Sequence, residues 1–223
     1  MSPMLTPYYD RREAGKLLAT YLQTYAQRPD VLVLGLARGG VAVAAEIAEA
    51  LHAPLDVFVV RKLGVPGHEE LAMGAIASGG VRVVNENVLR SMSLSSEVLE
   101  EVAAVEEPEL ERREKLYRGN RPPLEVEGRI VIVVDDGLAT GATMRAAVAA
   151  LREHNPAWIV VAVPVAARDT ASEFQMTVDE VICARTPEPF LAVGLSYDHF
   201  PQLTDAEVRD LLQQNAEQRV EES

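Results

Sequence analysis

Two adjacent carboxylates followed by small and hydroxylated residues form the most chemically suggestive stretch of the chain: Asp135-Asp136-Gly137-Leu138-Ala139-Thr140-Gly141-Ala142-Thr143. The unbroken β-branched run at residues 130–134 precedes them, and an Ala-rich helix is predicted to open at about residues 141–143. A helix N-terminus presents unsatisfied N–H groups and positive dipole character, so such a turn can cradle a phosphate. Gly141 and Ala142 allow close backbone approach, while Thr140 and Thr143 supply hydroxyl donors. The carboxylates cannot be phosphate ligands themselves. Beside a phosphate they make sense as acceptors for sugar hydroxyls or as ligands for a magnesium ion. A Walker A loop needs a Lys after its last Gly, where this chain has Ala142, and the dinucleotide fingerprint needs a different Gly spacing.

A second candidate site is Gly35-Leu36-Ala37-Arg38-Gly39-Gly40, which follows the apolar run at 31–36 and opens an Ala-rich helix over 41–51. A bare surface Arg at a helix start is unfavourable because a cation there opposes the dipole. The elements that must carry these loops alternate. Apolar runs at 31–36, 55–60, 130–134, 158–163 and 177–182 read as strands buried on both faces, with helices at 10–27, 41–51, 143–154 and from about 168. That order predicts an α/β fold with a mainly parallel central sheet flanked by helices, whose ligands bind beyond the C-terminal ends of the strands. Residues 64–80, rich in Gly and containing Pro66, are predicted as a long loop. Residues 81–84 read as a short strand, and Pro108 is expected to start or kink a helix within the charged segment 95–117. A polar amphipathic helix closes the chain over 205–214.

Composition narrows the possibilities. The formal net charge of −13 argues against a nucleic-acid-coating protein, yet a local pocket of N–H groups and a few cations can still hold a small anion. The single Cys183 precludes an internal disulfide framework and fits a reducing compartment. Residues 1–10 have neither a basic start nor an apolar stretch, so no signal peptide is expected. The longest apolar run, 157–167, is too short to span a bilayer, and a soluble cytoplasmic protein is the expectation. No Gly-x-Ser-x-Gly elbow or metal-spaced His pair is present, and His52, His68, His154 and His199 are scattered.

Residues 135–143 resemble the phosphoribosyl-pyrophosphate signature of the type I phosphoribosyltransferases: an apolar strand, two acidic residues, then a Thr-Gly-x-Thr turn. The resemblance implies a magnesium-dependent transfer of phosphoribosyl from phosphoribosyl pyrophosphate to a nitrogenous acceptor, expected to be a nucleobase. It implies that Asp135 and Asp136 contact the ribose hydroxyls and hold magnesium directly or through water and ribose, and that Ala139, Thr140, Gly141, Ala142 and Thr143 bind the 5-phosphate. Ala37, Arg38 and Gly39 are similar to the family's pyrophosphate loop, in which a peptide bond is often cis. Arg61-Lys62 and the glycines after it resemble the basic pair and Gly-Pro-rich loop of adenine-type members, so Lys62 is a candidate pyrophosphate contact and residues 63–80 a candidate lid. His68, Glu69 and Glu70 read as solvated loop charge.

Members acting on 6-oxopurines commonly carry an Asp where this chain has Ala139, which weighs against hypoxanthine and guanine. The resemblance divides the chain into a core, 1–185, with a helical insertion at about 95–118, and a C-terminal hood and helix, 186–223. Phe190, Tyr197 and Phe200 of the hood are candidates to stack on a flat acceptor. A homodimer is expected. An alternative of another class is a sensor of phosphoribosyl pyrophosphate or nucleotides that kept the fold without transferase activity.

Overall fold

The computed structural model describes residues 6–221. Helix α1 (Arg11–Thr20), capped by the Asp10 carboxylate accepting from the Glu13 N–H, leads through a short 3-10 turn into strand β1 (Val31–Leu36). Helix α2 (Gly39–Leu51) and strand β2 (Leu55–Phe58) follow. Strands β3 (Val60–Val65), β4 (His68–Ala77) and β5 (Val81–Val84) then form a separate antiparallel sheet. After helices α3 (Glu86–Ser91) and α4 (Ser96–Arg118), the parallel pattern resumes with β6 (Ile130–Val134), α5 (Ala142–Glu153), β7 (Trp158–Val165), α6 (Arg168–Phe174) and β8 (Glu180–Arg185). Helix α7 (Asp205–Glu221) ends the described chain.

The central sheet has five strands, parallel as the spacing of apolar runs predicts, and their order is β2-β1-β6-β7-β8. Both faces of the sheet are covered. Val31 and Val33 of β1 pack into the cluster holding Leu18, Ile47 and Leu212, while Leu32, Leu34 and Leu36 pack with Met144, Leu151 and Phe174. Complete burial of such aliphatic side chains is worth about 1.5–3 kcal/mol each. The chain first builds outward from β1 to β2 and then in the opposite direction from β6 to β8. The crevice at that reversal lies between the C-terminal ends of β1 and β6, which is where an open parallel sheet receives ligand.

Two expectations change. Residues 64–80 are not a long irregular loop: β3 and β4 pair across a turn in which Gly67 takes φ +78°. The other glycines serve close strand approach. A Cβ on Gly64 would lie 2.8 Å from the Glu69 carbonyl oxygen, and one on Gly74 would lie 2.6 Å from that of Val83. What reads as flexibility in sequence is here a hairpin with a register shift.

The charged segment, in turn, is one continuous helix of 23 residues with Pro108 inside it, neither starting nor ending there. Proline forfeits a backbone bond at that point. Tertiary anchors hold the helix on either side. Leu99, Ala103, Leu110 and Tyr117 are buried, Arg61 pairs with Glu106, and Arg82 pairs with Glu100 and Glu107.

Candidate active site

The loops after β1 and β6 are in contact. A Cβ on Gly40 would lie 2.5 Å from the Val134 carbonyl oxygen and 2.9 Å from the Asp135 Cα, so only glycine lets α2 begin this close to the β6 end. Gly39 is tighter still: its Cβ would meet Asp136 Oδ2 at 2.0 Å. The Ala37–Arg38 peptide is cis, the form that the family resemblance implies for this loop. Arg38 occupies the N-cap position of α2, with its Nη1 3.7 Å from Asp205 at the start of α7. The Tyr117 hydroxyl donates to the same Asp205 carboxylate at 2.7 Å.

Residues 137–143 form a cradle whose carbonyls are turned to the protein. Leu138 makes a parallel bridge to Ala166: its N–H donates to the Val165 carbonyl at 2.9 Å, and its carbonyl accepts from the Ala167 N–H at 3.0 Å. The Ala139 carbonyl accepts from the Thr170 hydroxyl at 2.7 Å, and the Thr140 carbonyl accepts from the Arg145 guanidinium. The Gly141 carbonyl accepts from the Arg145 N–H, the first intrahelical bond of α5. Among the described residues, the N–H groups of Ala139, Thr140 and Gly141 donate to no protein acceptor. Three free donors thus lead into the first turn of α5, where the Ala142 N–H makes only a long 3.5 Å bond to the Thr140 hydroxyl oxygen. Gly141 takes φ +70°, and a Cβ there would lie 2.8 Å from Phe174 and 2.9 Å from Thr170.

The acidic pair sits at the edge of this cradle. The Asp136 N–H donates to Asp135 Oδ1 at 2.9 Å, and Asp136 Oδ2 accepts from Arg11 Nε at 2.8 Å. Burial, reinforced by the neighbouring Asp136 charge, pushes the Asp135 carboxyl up to about 8. Burial also raises Asp136, though the Arg11 guanidinium opposes the shift. Two carboxylates this close cannot both ionise freely without a cationic or hydroxylic partner.

Among the described residues no group of three or more His, Cys, Asp or Glu converges to hold a metal by itself. Magnesium ordinarily takes only one or two carboxylates and fills its shell with water and substrate phosphates. The donor set of Asp135 and Asp136 fits an ion bound in that manner.

Arg11 is the site residue that sequence reading missed. It stands 125 positions from Asp136 in a charged run that looks solvated, yet its side chain is only 10 % exposed. It begins the buried stripe of α1 with Ala14, Gly15, Leu18 and Ala19, so a cation at helical spacing on an apolar face was the available signal. Its Nη1 donates to the Pro201 carbonyl at 2.7 Å and its guanidinium lies 3.7 Å over the Phe200 ring.

The expected hood segment is built around that contact. Tyr197 is 6 % exposed, with Tyr8 at 5.5 Å and Phe200 at 4.7 Å between ring centroids. Its hydroxyl donates to the Asp136 carbonyl at 2.5 Å. Tyr197 therefore has no open face for a flat acceptor and acts as a support beneath the acidic pair. Phe200 likewise carries Tyr197 and Arg11 against it, and Phe190 packs on the same cluster. The large apolar side chains that the segment exposes are Leu191 and Leu195, at 75 % and 67 % exposure. Lys62 does not end the second strand, which stops at Phe58, but lies within β3, opposite Ala75 of β4.

An open parallel α/β sheet with a loop of unpaired N–H donors and an acidic pair at its switch point has the layout of a ligand-binding α/β protein. Residues 8–198 match the phosphoribosyl transferase domain, and the chain belongs to that family. Its relatives include two provisionally named phosphoribosyl transferases of Mycobacterium tuberculosis, 47 % identical over 199 residues, which cover 89 % of this chain. The chain spans 45 % of their length, about half. The crystal structure of TT1426 from Thermus thermophilus is 41 % identical, covers 93 % of this chain and 98 % of its own, and superposes with a TM-score of 0.85. No helix among the described residues is long and apolar enough to cross a membrane.

Proposed function

We propose that this chain transfers the phosphoribosyl group of phosphoribosyl pyrophosphate to a nitrogenous acceptor and releases pyrophosphate. The observation that carries the reading is the cradle at 137–143, where the carbonyls are tied inward and the N–H groups of Ala139, Thr140 and Gly141 are left for an anion, directly beside two carboxylates. In this reading the cradle and the Thr140 and Thr143 hydroxyls take the 5-phosphate. Asp135 and Asp136 accept hydrogen bonds from the ribose hydroxyls, and Arg11 and the Tyr197 hydroxyl fix Asp136 from two sides. Ala37, Arg38 and Gly39 face the pyrophosphate, with Lys62 a further candidate contact. Magnesium, when bound at the acidic pair, would offset charge on the donor oxygens.

The acceptor nitrogen forms its bond to ribose C1 as the bond from C1 to the pyrophosphate oxygen breaks. The electron pair leaves with pyrophosphate, and the acceptor nitrogen releases its proton. No protein nucleophile is required, because positioning and charge stabilisation lower the barrier. Arg38 acts at the leaving group, where negative charge grows. Residues 186–203, including Phe190 and Phe200, border the acceptor side. Ala139 offers only a methyl group where a 6-oxopurine would be read by an Asp, so acceptors other than hypoxanthine and guanine are favoured.

The test is release of pyrophosphate from phosphoribosyl pyrophosphate and magnesium across a panel of nucleobases and other nitrogenous acceptors. Acceptor-dependent release that Asp135→Asn/Asp136→Asn abolishes supports the proposal. Silence across the panel, in protein that binds the donor tightly, refutes the transferase and leaves a sensor.

A further inference from the structure

Beside the Ala37–Gly39 loop lies a cavity of about 500 Å3 bordered by three arginines from three separate elements: Arg11 of α1, Arg38 of the loop itself and Arg113 of α4. Gln202 adds an amide, and no carboxylate is among the lining residues. In a chain with 34 acidic and 21 basic side chains, three guanidinium groups converge here while their carboxylate partners Asp136, Asp205 and Glu109 lie outside the lining.

The guanidinium groups are held in place without being used up. Arg11 is fixed by Nε to Asp136 and by Nη1 to the Pro201 carbonyl, and among the described residues its Nη2 has no acceptor. Arg113 bonds Glu109 through Nε alone, at 2.6 Å, leaving both Nη nitrogens as donors. Arg38 stands 3.7 Å from Asp205, an ion pair beyond hydrogen-bond length. The planar fork of arginine suits phosphate oxygens, and preorganised forks lose little freedom on binding.

We propose that Arg11 and Arg113 join Arg38 in an anion pocket that receives the diphosphate end of the donor and holds it as it leaves as pyrophosphate. The inference rests on the reading of the chain as a phosphoribosyltransferase and adds two binding residues outside the loops that carry the family signature. Arg113 comes from the long charged helix α4, between its buried residues Leu110 and Tyr117. Arg11 links the two ends of the donor, touching the acid that faces the ribose and the pocket that faces the diphosphate.

The probes are inorganic pyrophosphate and ribose 5-phosphate, titrated separately into wild type, Arg113→Gln and Arg112→Gln. Arg112 is the adjacent residue of α4; it also pairs with Glu109, is 55 % exposed and does not border the cavity. Loss of a charge-assisted hydrogen bond predicts that Arg113→Gln weakens pyrophosphate about 10- to 100-fold. Ribose 5-phosphate affinity is expected to stay at the wild-type value in both variants, and Arg112→Gln to leave both ligands unaffected. Arg11→Lys, which keeps the charge in a buried position, is expected to weaken pyrophosphate through loss of the fork. Wild-type pyrophosphate affinity in Arg113→Gln overturns the pocket, as does an equal loss in Arg112→Gln, which would mark a general charge effect. Failure of wild type to bind ribose 5-phosphate would instead refute the reading of the 137–143 cradle.

Discussion

Replacing Gly39 by alanine should disable the site while sparing the fold. The added Cβ would stand 2.0 Å from Asp136 Oδ2, 2.7 Å from its Cγ and 3.2 Å from Arg11 Nε. Non-bonded heavy atoms prefer about 3.5–4.0 Å, so the carboxylate must withdraw by roughly 1.5 Å. The obstructing atoms belong to a side-chain end and not to backbone, so rotation of Asp136 relieves the clash. That rotation breaks the 2.8 Å bond to Arg11 and turns the carboxylate away from where the proposed function puts the ribose. Overpacking costs about 1–3 kcal/mol, and the lost charged hydrogen bond about 1.5–3 kcal/mol, with partial overlap between the two.

We therefore expect Gly39→Ala to lower the urea midpoint by a modest amount and to weaken phosphoribosyl pyrophosphate at least about tenfold, as read by calorimetry. Gly67→Ala is the matched comparison. Its φ of +78° makes alanine strained, yet the Cβ meets nothing within 4 Å, so stability should fall while donor affinity stays unchanged. Wild-type donor affinity in Gly39→Ala would refute the role of the Arg11–Asp136 geometry.

Asp135 makes the unliganded protein less stable as pH rises. Its folded carboxyl, pushed up to about 8 by burial and by the Asp136 charge, keeps a proton that the unfolded chain loses near about pH 4. The native state thus binds more protons across that window. The contribution of this one group to the unfolding free energy falls with pH by at most about 1.4 kcal/mol per unit and levels off above the folded value. Asp135→Asn should flatten this slope in urea titrations; an unchanged slope would assign it elsewhere. Gly141→Ala should destabilise the cradle, because it combines φ +70° with a Cβ 2.8 Å from Phe174, and should raise the KM for the donor more than it lowers kcat. A KM equal to that of wild type would show that the cradle tolerates the shift.

The central sheet was legible because four of its strands are apolar runs covered on both faces, whereas the edge strand β8, half-buried throughout, begins at Glu180, three residues into the run expected at 177–182. The acidic pair and the 137–143 cradle were legible because their chemistry is contiguous in the chain. The β3–β4 hairpin was not, since Gly64, Gly67 and Gly74 look the same in sequence whether they loosen a loop or allow two strands to approach. The unbroken course of α4 through Pro108 was hidden because it rests on pairs such as Arg61–Glu106 and Arg82–Glu107, which join residues far apart in the chain. Arg11 escaped notice for the same reason. Tyr197 and Phe200 stand out in sequence as aromatic rings for a base, but their partners are Tyr8 and Arg11, so packing takes the ring faces that a base would need.

Calorimetric titration of phosphoribosyl pyrophosphate with magnesium into wild type and into Asp135→Asn/Asp136→Asn tests the central claim most directly. The account predicts saturable binding by wild type and its loss in the double variant, with ribose 5-phosphate following the same pattern. No binding by wild type at millimolar donor, or identical binding by the double variant, would contradict it.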